Sequence, residues 1–399
     1  MLRIGYVSSF APRECGIATF TEDLTTSIDA LHVLEPSKII AINEPGAHYN
    51  YGNEVVMHIK SDDLRTYHQA ADRINRSNLD LINVQHEFGL FGGKWGDHLL
   101  TLLRELKKPC VTTMHTTLAS NSSAFDSPES AAIHTDVVRE IEKRSSAIVV
   151  MTKMAAKILE EDYGVNADKI RVIQHGSPAI PLVPSQPEKR ALGLEKRVVL
   201  STFGLLSRGK GIESAIKALS YIVKDYPEIC YLVIGATHPQ VRKSEGEKYR
   251  ESLMSLVQRL GLEKNVMFDN RFLTKSELIQ YLKATDVYIS PYPNKDQLSS
   301  GTVTYALAAG KAIVSTPFNY ATEVLADGRG MLCKFESPES IAKSIKHLLK
   351  NPERKARMER LAHKYGQGMT WSSIALRYAS LFNEMVCRET GELYEVTLG

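Results

Sequence analysis

Cysteine is scarce in this sequence, and its distribution fits neither a disulfide framework nor a zinc site. The five cysteines lie far apart, without any C-x-x-C spacing: Cys15, Cys110, Cys230, Cys333 and Cys387. This usage is typical of reduced thiols, so we expect a cytoplasmic protein.

Long hydrophobic runs are also missing, because no stretch approaches the roughly 18 apolar residues of a membrane helix. The first residues lack the apolar core of a signal peptide. We therefore expect no transmembrane segment.

The sequence also lacks an excess of charge of one sign. Lysine and arginine together number 49 against 46 acidic residues, which leaves a net charge of +3. Without a large basic field, nucleic acid is not an expected partner. The hydrophobic fraction of 43% and the charged fraction of 24% exclude a disordered chain, a collagen and a coiled-coil rod. A globular chain of 399 residues should form about two domains.

The two halves of the chain begin with the same pattern. In each half a β-rich run precedes a glycine-containing loop and a helical pattern, which is how a doubly wound α/β domain begins. These openings cover residues 2–8 with a helix near 17–31, and residues 198–203 with a helix over 212–223. Further strands are predicted between helices at 79–84, 110–114, 147–151, 170–173, 231–234, 266–268, 287–290 and 312–315.

Strands that alternate with helices predict parallel sheets with right-handed crossovers. A proline-rich polar stretch, 181–189, is the best linker candidate. We therefore predict an α/β protein with two facing Rossmann-like doubly wound domains and a ligand cleft between the carboxyl ends of their strands. The predicted boundaries are an N-terminal domain at 1–180, a linker at 181–197 and a C-terminal domain at 198–370. Thr274 with Glu277 predicts a capping box at a helix start within the second domain.

The loop that opens the second half predicts an anion site. Gly204-x4-Gly209-Lys210-Gly211 is one residue away from a P-loop, but Gly211 has no hydroxyl to hold Mg²⁺, which argues against an NTPase. Backbone N–H groups, a helix start and the cations Arg208 and Lys210 still favour phosphate or diphosphate binding. A plain βα turn with solvated basic residues is the alternative.

A second stretch of small polar residues opens a later helix. Ser299, Ser300, Gly301 and Thr302 would place N–H groups and hydroxyls where an anion or a sugar hydroxyl could bind. From the pattern alone, an ordinary packed helix is an equal alternative.

Three histidines directly follow predicted strands. His86, His115 and His175 lie where the cleft is expected, so His86 and His115 are candidates for function, while His175 fits a backbone-positioning turn. His86 and Glu87 do not continue into a zinc H-E-x-x-H motif, because residue 90 is leucine. No Asp-x-Asp pair occurs, so we expect neither a metal nor another cofactor, and the cations and helix dipoles would neutralise a bound diphosphate.

The order of these motifs resembles the retaining GT-B glycosyltransferases of family 4 over nearly the whole chain. The segment 15–20 is similar to the family's glycine-rich first loop, 204–211 to its G-R-L-x-x-x-K-G and 172–176 to its V-I-P-N-G. The run 265–291 follows N-V-x-F-x-G through A-D-V-x-x-x-P-S, and 305–316 follows E-A-M-A-x-G-x-P-V-V-x-S. Met369-Thr-Trp371 resembles the tryptophan before a last helix, 371–399, that crosses back to the N-terminal domain.

This resemblance implies transfer of a hexosyl group from a UDP- or GDP-hexose to a hydroxyl of a carbohydrate or other acceptor, with retention and without a metal. It implies that His115, Arg208 and Lys210 serve catalysis, and that His86 and Glu87 lie on the acceptor side. The implied donor site contains Gly16, Gly204, Phe272, Leu273, Gln297, Ser300, Gly301, Thr302 and Tyr305.

The sequence departs from the family at its pair of acids. The family's E-x7-E positions hold Gln297 and Tyr305, which would contact the donor sugar and the ribose respectively. A glutamine can still hydrogen-bond a sugar hydroxyl, whereas a tyrosine offers one hydroxyl. The alternatives are a glycoside phosphorylase or a nucleotide-sugar epimerase on the same fold, or a sugar- or nucleotide-binding subunit without catalysis.

Overall fold

The computed structural model describes residues 1–391. The chain forms two compact units, one made of Met1–Gly176 together with the chain from Trp371 onward, and the other of Ser177–Thr370. Strands and helices are numbered along the whole chain. The end of the predicted crossover segment 371–399 lies outside the described residues.

The first unit is built on a parallel seven-stranded sheet with the order β3-β2-β1-β4-β5-β6-β7. The central strands are buried on both faces, as expected for a parallel sheet that helices cover on each side. The strands are β1 Ile4–Ser8, β2 Lys38–Asn43, β3 Val55–Lys60, β4 Leu81–His86, β5 Cys110–Met114, β6 Ala147–Val150 and β7 Ile170–Val172.

Three helices of the first unit begin at a side chain that accepts a hydrogen bond from a free N–H group of the first turn. Ser127 and Thr152 each accept a hydrogen bond from a first-turn backbone N–H, which fixes two of these starts. The helices are α1 Gly16–Asp29, α2 Leu64–Arg76, α3 Leu99–Glu105, α4 Pro128–Arg144, α5 Lys153–Tyr163 and, from the end of the chain, α15 Trp371–Thr390.

The last helix, α15, is part of the first unit's core. Its buried side chains pack on α1 and β1, with the Tyr6 and Phe382 ring centroids 6.1 Å apart. Tyr378 Oη lies 3.1 Å from Thr113 Oγ1 of β5, which gives this apolar face one polar anchor. None of the helices within residues 1–391 is long and apolar enough to cross a membrane.

The second unit is built on a parallel six-stranded sheet with the order β10-β9-β8-β11-β12-β13. Alternate residues of its central strands enter two separate apolar clusters, one on each face. The strands are β8 Val198–Phe203, β9 Ile229–Ile234, β10 Val266–Asp269, β11 Val287–Ser290, β12 Ala312–Ser315 and β13 Met331–Leu332.

The predicted capping box between Thr274 and Glu277 is confirmed, with both reciprocal hydrogen bonds present. It opens the helix that leads into β11. The helices of the second unit are α6 Gln186–Ala191, α7 Ile212–Ser220, α8 Pro239–Glu245, α9 Lys248–Arg259, α10 Lys275–Ala284, α11 Gly301–Ala308, α12 Asn319–Val324, α13 Pro338–Lys350 and α14 Pro352–Gln367.

The segment predicted as a linker, 181–197, belongs to the second unit and contains α6. Within α6, Lys189 is buried and donates to Asp286 Oδ2 at 2.5 Å. The same carboxylate oxygen accepts the N–H of Val199 at 2.7 Å, at the start of β8. The polar, proline-rich composition misled the sequence analysis, because a buried ion pair rather than an apolar stripe holds this helix in place.

Candidate functional site

The geometry at the end of β8 requires glycine. Gly204 has a φ of +126°, a conformation that other residues rarely adopt. A Cβ there would lie 3.2 Å from Thr302 Cγ2 and 3.6 Å from Lys210 Nζ. The predicted phosphate loop and the start of α11 therefore meet at this glycine.

Lys210 is held at this meeting point by a tyrosine. Its Nζ donates to Tyr292 Oη at 2.8 Å and lies 4.4 Å from the centroid of that ring. Tyr292 Oη in turn lies 2.7 Å from Thr302 Oγ1. The ammonium group thus lies beside the first turn of α11, where a diphosphate would also receive backbone N–H groups.

The start of α11 carries several of the predicted donor-binding residues. Ser300 is the N-cap, and its Oγ accepts the Val303 N–H at 3.4 Å. By helix geometry, the N–H groups of Gly301 and Thr302 have no partner within the helix. The two N–H groups and the nearby Lys210 ammonium together favour an anionic ligand.

The Arg208 side chain contacts Glu245 and Tyr249. Its Nη2 lies 3.2 Å from Glu245 Oε2, and its guanidinium lies 5.1 Å from the centroid of the Tyr249 ring. The side chain is 64% exposed. A catalytic role for Arg208 therefore stays a prediction that requires the side chain to leave Glu245.

The two residues at the acid positions differ in their surroundings. Gln297 is half-buried and donates through Nε2 to Ser299 O at 2.8 Å, which ties it to the loop before α11. Tyr305 lies within α11 and is buried, with its ring centroid 6.2 Å from that of Phe203. Phe272 is 50% exposed after β10, while the neighbouring Leu273 packs partly against the apolar cluster.

In the first unit, three predicted residues lie at the carboxyl ends of neighbouring strands. Gly16 begins α1 after β1, His86 ends β4, and His115 follows β5. The backbone N–H of His115 donates to His86 O at 2.9 Å. The unit thus brings His86 and His115 together at this edge of the sheet, with Gly16 on the loop that follows β1.

A chain of buried amides fixes the ring of His115. Its Nε2 lies 2.8 Å from Gln85 Oε1, and Gln85 Nε2 donates to Asn83 Oδ1 at 2.5 Å. Asn83 Nδ2 donates to Val111 O at 2.9 Å, so the direction of this chain makes His115 Nε2 the protonated nitrogen. Burial, followed by the neighbouring histidines, lowers the pKa of His115 to about 3, which keeps the ring neutral.

His86 and Glu87 are adjacent in sequence but differ in their partners. Neither ring nitrogen of His86 has a hydrogen-bond partner among the described residues, and burial lowers its pKa to about 3. Burial raises the pKa of the Glu87 carboxyl, although Thr116 Oγ1 donates to it at 2.5 Å. Glu87 is thus held at the strand end by a defined contact, and His86 by packing against Phe88 and Phe91.

Sequence analysis missed the residues that orient the predicted ones. Tyr292 contacts Lys210 and Thr302, while Gln85 and Asn83 orient His115. Their positions were the available signal, because Tyr292 follows β11 and the two amides lie within β4. No three histidine, cysteine or acidic side chains in residues 1–391 come together in a way that could hold a metal ion.

Comparison with known families assigns both units. The model of Glycosyltransferase Family 4 matches residues 43–177, and that of Glycosyl transferases group 1 matches residues 184–365. The chain belongs to the GT-B glycosyltransferases. The resemblance that the motifs indicated is thereby confirmed at the level of family and fold.

Sequence relatives of this glycosyltransferase include an uncharacterized glycosyltransferase of Methanocaldococcus jannaschii. It is 28% identical over 292 residues, which cover 71% of this chain and 70% of that protein. The D-inositol 3-phosphate glycosyltransferase of Corynebacterium efficiens is 26% identical over 301 residues, covering 72% of this chain and 69% of that protein.

Solved structures share the fold over nearly the whole glycosyltransferase. Sucrose-phosphate synthase from Thermosynechococcus elongatus aligns with a TM-score of 0.77 at 15% identity, covering 97% of this chain and 100% of that chain. Anabaena HepE, crystallised with UDP and glucose, aligns with a TM-score of 0.74 at 16% identity, covering 96% and 100%. At these identities the similarity shows the fold alone.

Proposed function

We propose that this glycosyltransferase transfers a hexosyl group from a UDP- or GDP-hexose to a hydroxyl of a carbohydrate or other acceptor, with retention and without a metal. The observation that carries the proposal is the meeting of Lys210, Gly204 and Thr302 at the start of α11. A cation and free helix N–H groups at one point suit a diphosphate leaving group. Support also comes from HepE, which has been crystallised with UDP-glucose.

The donor-side roles follow from placement within the second unit. Lys210 neutralises charge that develops on the departing diphosphate, with Arg208 as a second cation if it leaves Glu245. Ser300, Gly301 and Thr302 bind phosphate oxygens or sugar hydroxyls through the first turn of α11. Gln297 holds the donor sugar, Tyr305 contacts the ribose, and Phe272 and Leu273 present backbone to the base.

In the first unit, His115 is proposed to lie beside the reacting sugar as a neutral imidazole. Gln85 accepts the Nε2 proton and so holds the ring in one orientation. Gly16 lets the first loop approach the diphosphate, and His86 with Glu87 contributes to the acceptor side. The reaction is proposed to take place in the cytoplasm, where the five free cysteines would remain reduced.

Release of free nucleoside diphosphate tests this function. The protein is incubated with UDP-, GDP- and ADP-hexoses and a set of glycosides, and the anomeric protons of any product are followed by NMR. We expect one nucleotide sugar to be consumed and the first product to keep the anomeric configuration of the donor. Inversion at the anomeric carbon would contradict the retaining mechanism, and no turnover of any donor would contradict the function.

Activity should survive excess chelator. Cationic side chains and helix N–H groups are proposed to take the place that a divalent metal fills at other diphosphate sites. Turnover is measured with EDTA in large excess and again after Mg²⁺ is added. Loss of turnover in EDTA that Mg²⁺ restores would contradict the metal-independent proposal.

Variants at the altered acid positions should separate nucleotide from sugar contacts. Tyr305→Phe should weaken binding of the nucleoside diphosphate by about 0.5–1.5 kcal/mol, the net value of one neutral hydrogen bond. Gln297→Ala should lower turnover and leave nucleotide binding largely intact. Calorimetry with the bare nucleotide distinguishes them. The assignment is wrong if Gln297→Ala abolishes nucleotide binding while Tyr305→Phe changes nothing.

A further inference from the structure

The hydroxyl group of Tyr292 connects two parts of the donor site that come from distant positions in the chain. Lys210 follows β8 and Thr302 opens α11, yet both contact Tyr292 Oη, at 2.8 and 2.7 Å. We propose, on the basis of the proposed function, that Tyr292 is a positioning residue. Its hydroxyl holds the Lys210 ammonium beside the first turn of α11. Lysine and helix start would then act on the same diphosphate.

Tyr292 is itself held rigidly enough for this role. Its side chain is fully buried, and its ring stacks on Phe318 with centroids 5.0 Å apart and an interplanar angle of 22°. Its carbonyl accepts the hydroxyl of Thr316 at 2.6 Å, and prolines precede and follow it. A lysine side chain has a flexible four-carbon stem. Because a fixed acceptor already holds its ammonium group, less of this side chain remains to be ordered when the transition state forms.

The chemistry of lysine gives the hydrogen-bond chain a direction. An ammonium group can only donate, so Tyr292 Oη accepts from Lys210 and its own proton is directed to Thr302 Oγ1. Thr302 Oγ1 lies 3.1 Å from Ser300 Oγ, which also accepts the Val303 N–H. One of these two hydroxyls donates to the other, and the proton of the second is left for a ligand oxygen.

Charge supports the same arrangement. Burial by itself would raise the pKa of Tyr292, but the Lys210 charge and the hydrogen bond from Lys210 outweigh it and bring the pKa below its ordinary value. Two neighbouring buried tyrosines, Tyr288 and Tyr231, have a pKa raised first by burial and further by the charge that Tyr292 would carry. The lowered pKa of Tyr292 thus reflects the Lys210 ammonium, which faces this oxygen at 2.8 Å.

The test compares Tyr292→Phe with a matched control, Tyr320→Phe. Tyr320 is also fully buried, and its hydroxyl contacts Thr304 of the same helix α11, without any contact to Lys210. We expect Tyr292→Phe to lower kcat by roughly 10- to 100-fold and to change the donor KM by less than about threefold. Tyr320→Phe should keep kcat near the wild-type value, since its hydroxyl serves only the core.

A double-mutant cycle decides whether Tyr292 acts through Lys210. Once Lys210→Ala has removed the ammonium, adding Tyr292→Phe should cost little further kcat. All chains are assayed at a temperature at which circular dichroism shows each of them folded. An equal loss with and without Lys210, or no loss at all, would overturn the positioning role. A wild type that turns over no nucleotide sugar would instead overturn the proposed function before any variant is compared.

Discussion

Lys210→Ala should lower kcat by roughly 30- to 900-fold, the scale of about 2–4 kcal/mol that one oxyanion donor supplies. Lys210 is the cation that the structure holds against the start of α11, at 2.8 Å from Tyr292 Oη. Charge on a departing diphosphate grows in the transition state, so kcat should suffer more than donor binding. Initial rates of nucleoside diphosphate release at saturating donor measure this effect.

Lys217→Ala is the matched control for this variant. Lys217 lies on the exposed face of α7, the helix that follows the phosphate loop, so its removal changes the net charge equally. It should leave kcat and KM close to the wild-type values. Full activity in Lys210→Ala, or an equal loss in both variants, would contradict a specific role for Lys210.

Acid should destabilise the first unit through its buried histidines. His86 and His115 each have a pKa lowered to about 3 by burial, whereas an unfolded histidine titrates near about 6.5. Below that pH the unfolded chain binds more protons than the folded one, so stability falls as pH falls. Between pH 7 and 5, each histidine should reduce the free energy of unfolding by about 2 kcal/mol.

Denaturant unfolding at a series of pH values measures this effect, and His86→Leu isolates one histidine. This variant should lose about 2 kcal/mol of the difference between pH 7 and 5, because leucine binds no proton. It also removes two ring nitrogens that have no hydrogen-bond partner among the described residues. His48→Leu, at an exposed position, is the control for replacing a histidine by leucine. An unchanged pH dependence in His86→Leu would show that His86 is not the titrating group.

Strong local patterns made much of the fold predictable from the sequence. The runs 110–114, 287–290 and 312–315 match the observed strands β5, β11 and β12. They are short, apolar and bounded by helical patterns, which is typical of buried parallel strands. The loop from Gly204 to Gly211 was informative because these two glycines adopt a backbone geometry that other residues rarely adopt.

The remaining features depend on contacts between distant parts of the chain. Strand β3 lies at a sheet edge, and its residues alternate between partly buried and exposed, so its pattern was too weak to be noticed. Helix α6 is held by the Lys189–Asp286 pair, whose members lie nearly a hundred residues apart. Tyr292 likewise became informative only when the fold brought Lys210 and Thr302 to its hydroxyl.

The central claim is that the start of α11 and Lys210 together bind a nucleoside diphosphate. A thermal-shift titration with UDP, GDP and ADP and their hexose conjugates tests it most directly. A ligand at 100 times its Kd stabilises the folded state by about 2.7 kcal/mol, which is measurable as a rise in melting temperature. We expect at least one nucleotide to raise the melting temperature of the wild type and of Lys217→Ala, and to raise that of Lys210→Ala much less. The opposite result is that no nucleotide raises the melting temperature of the wild type, while inorganic phosphate supports cleavage of an oligosaccharide to a sugar phosphate. The site would then bind inorganic phosphate, and a nucleotide-sugar donor would be contradicted.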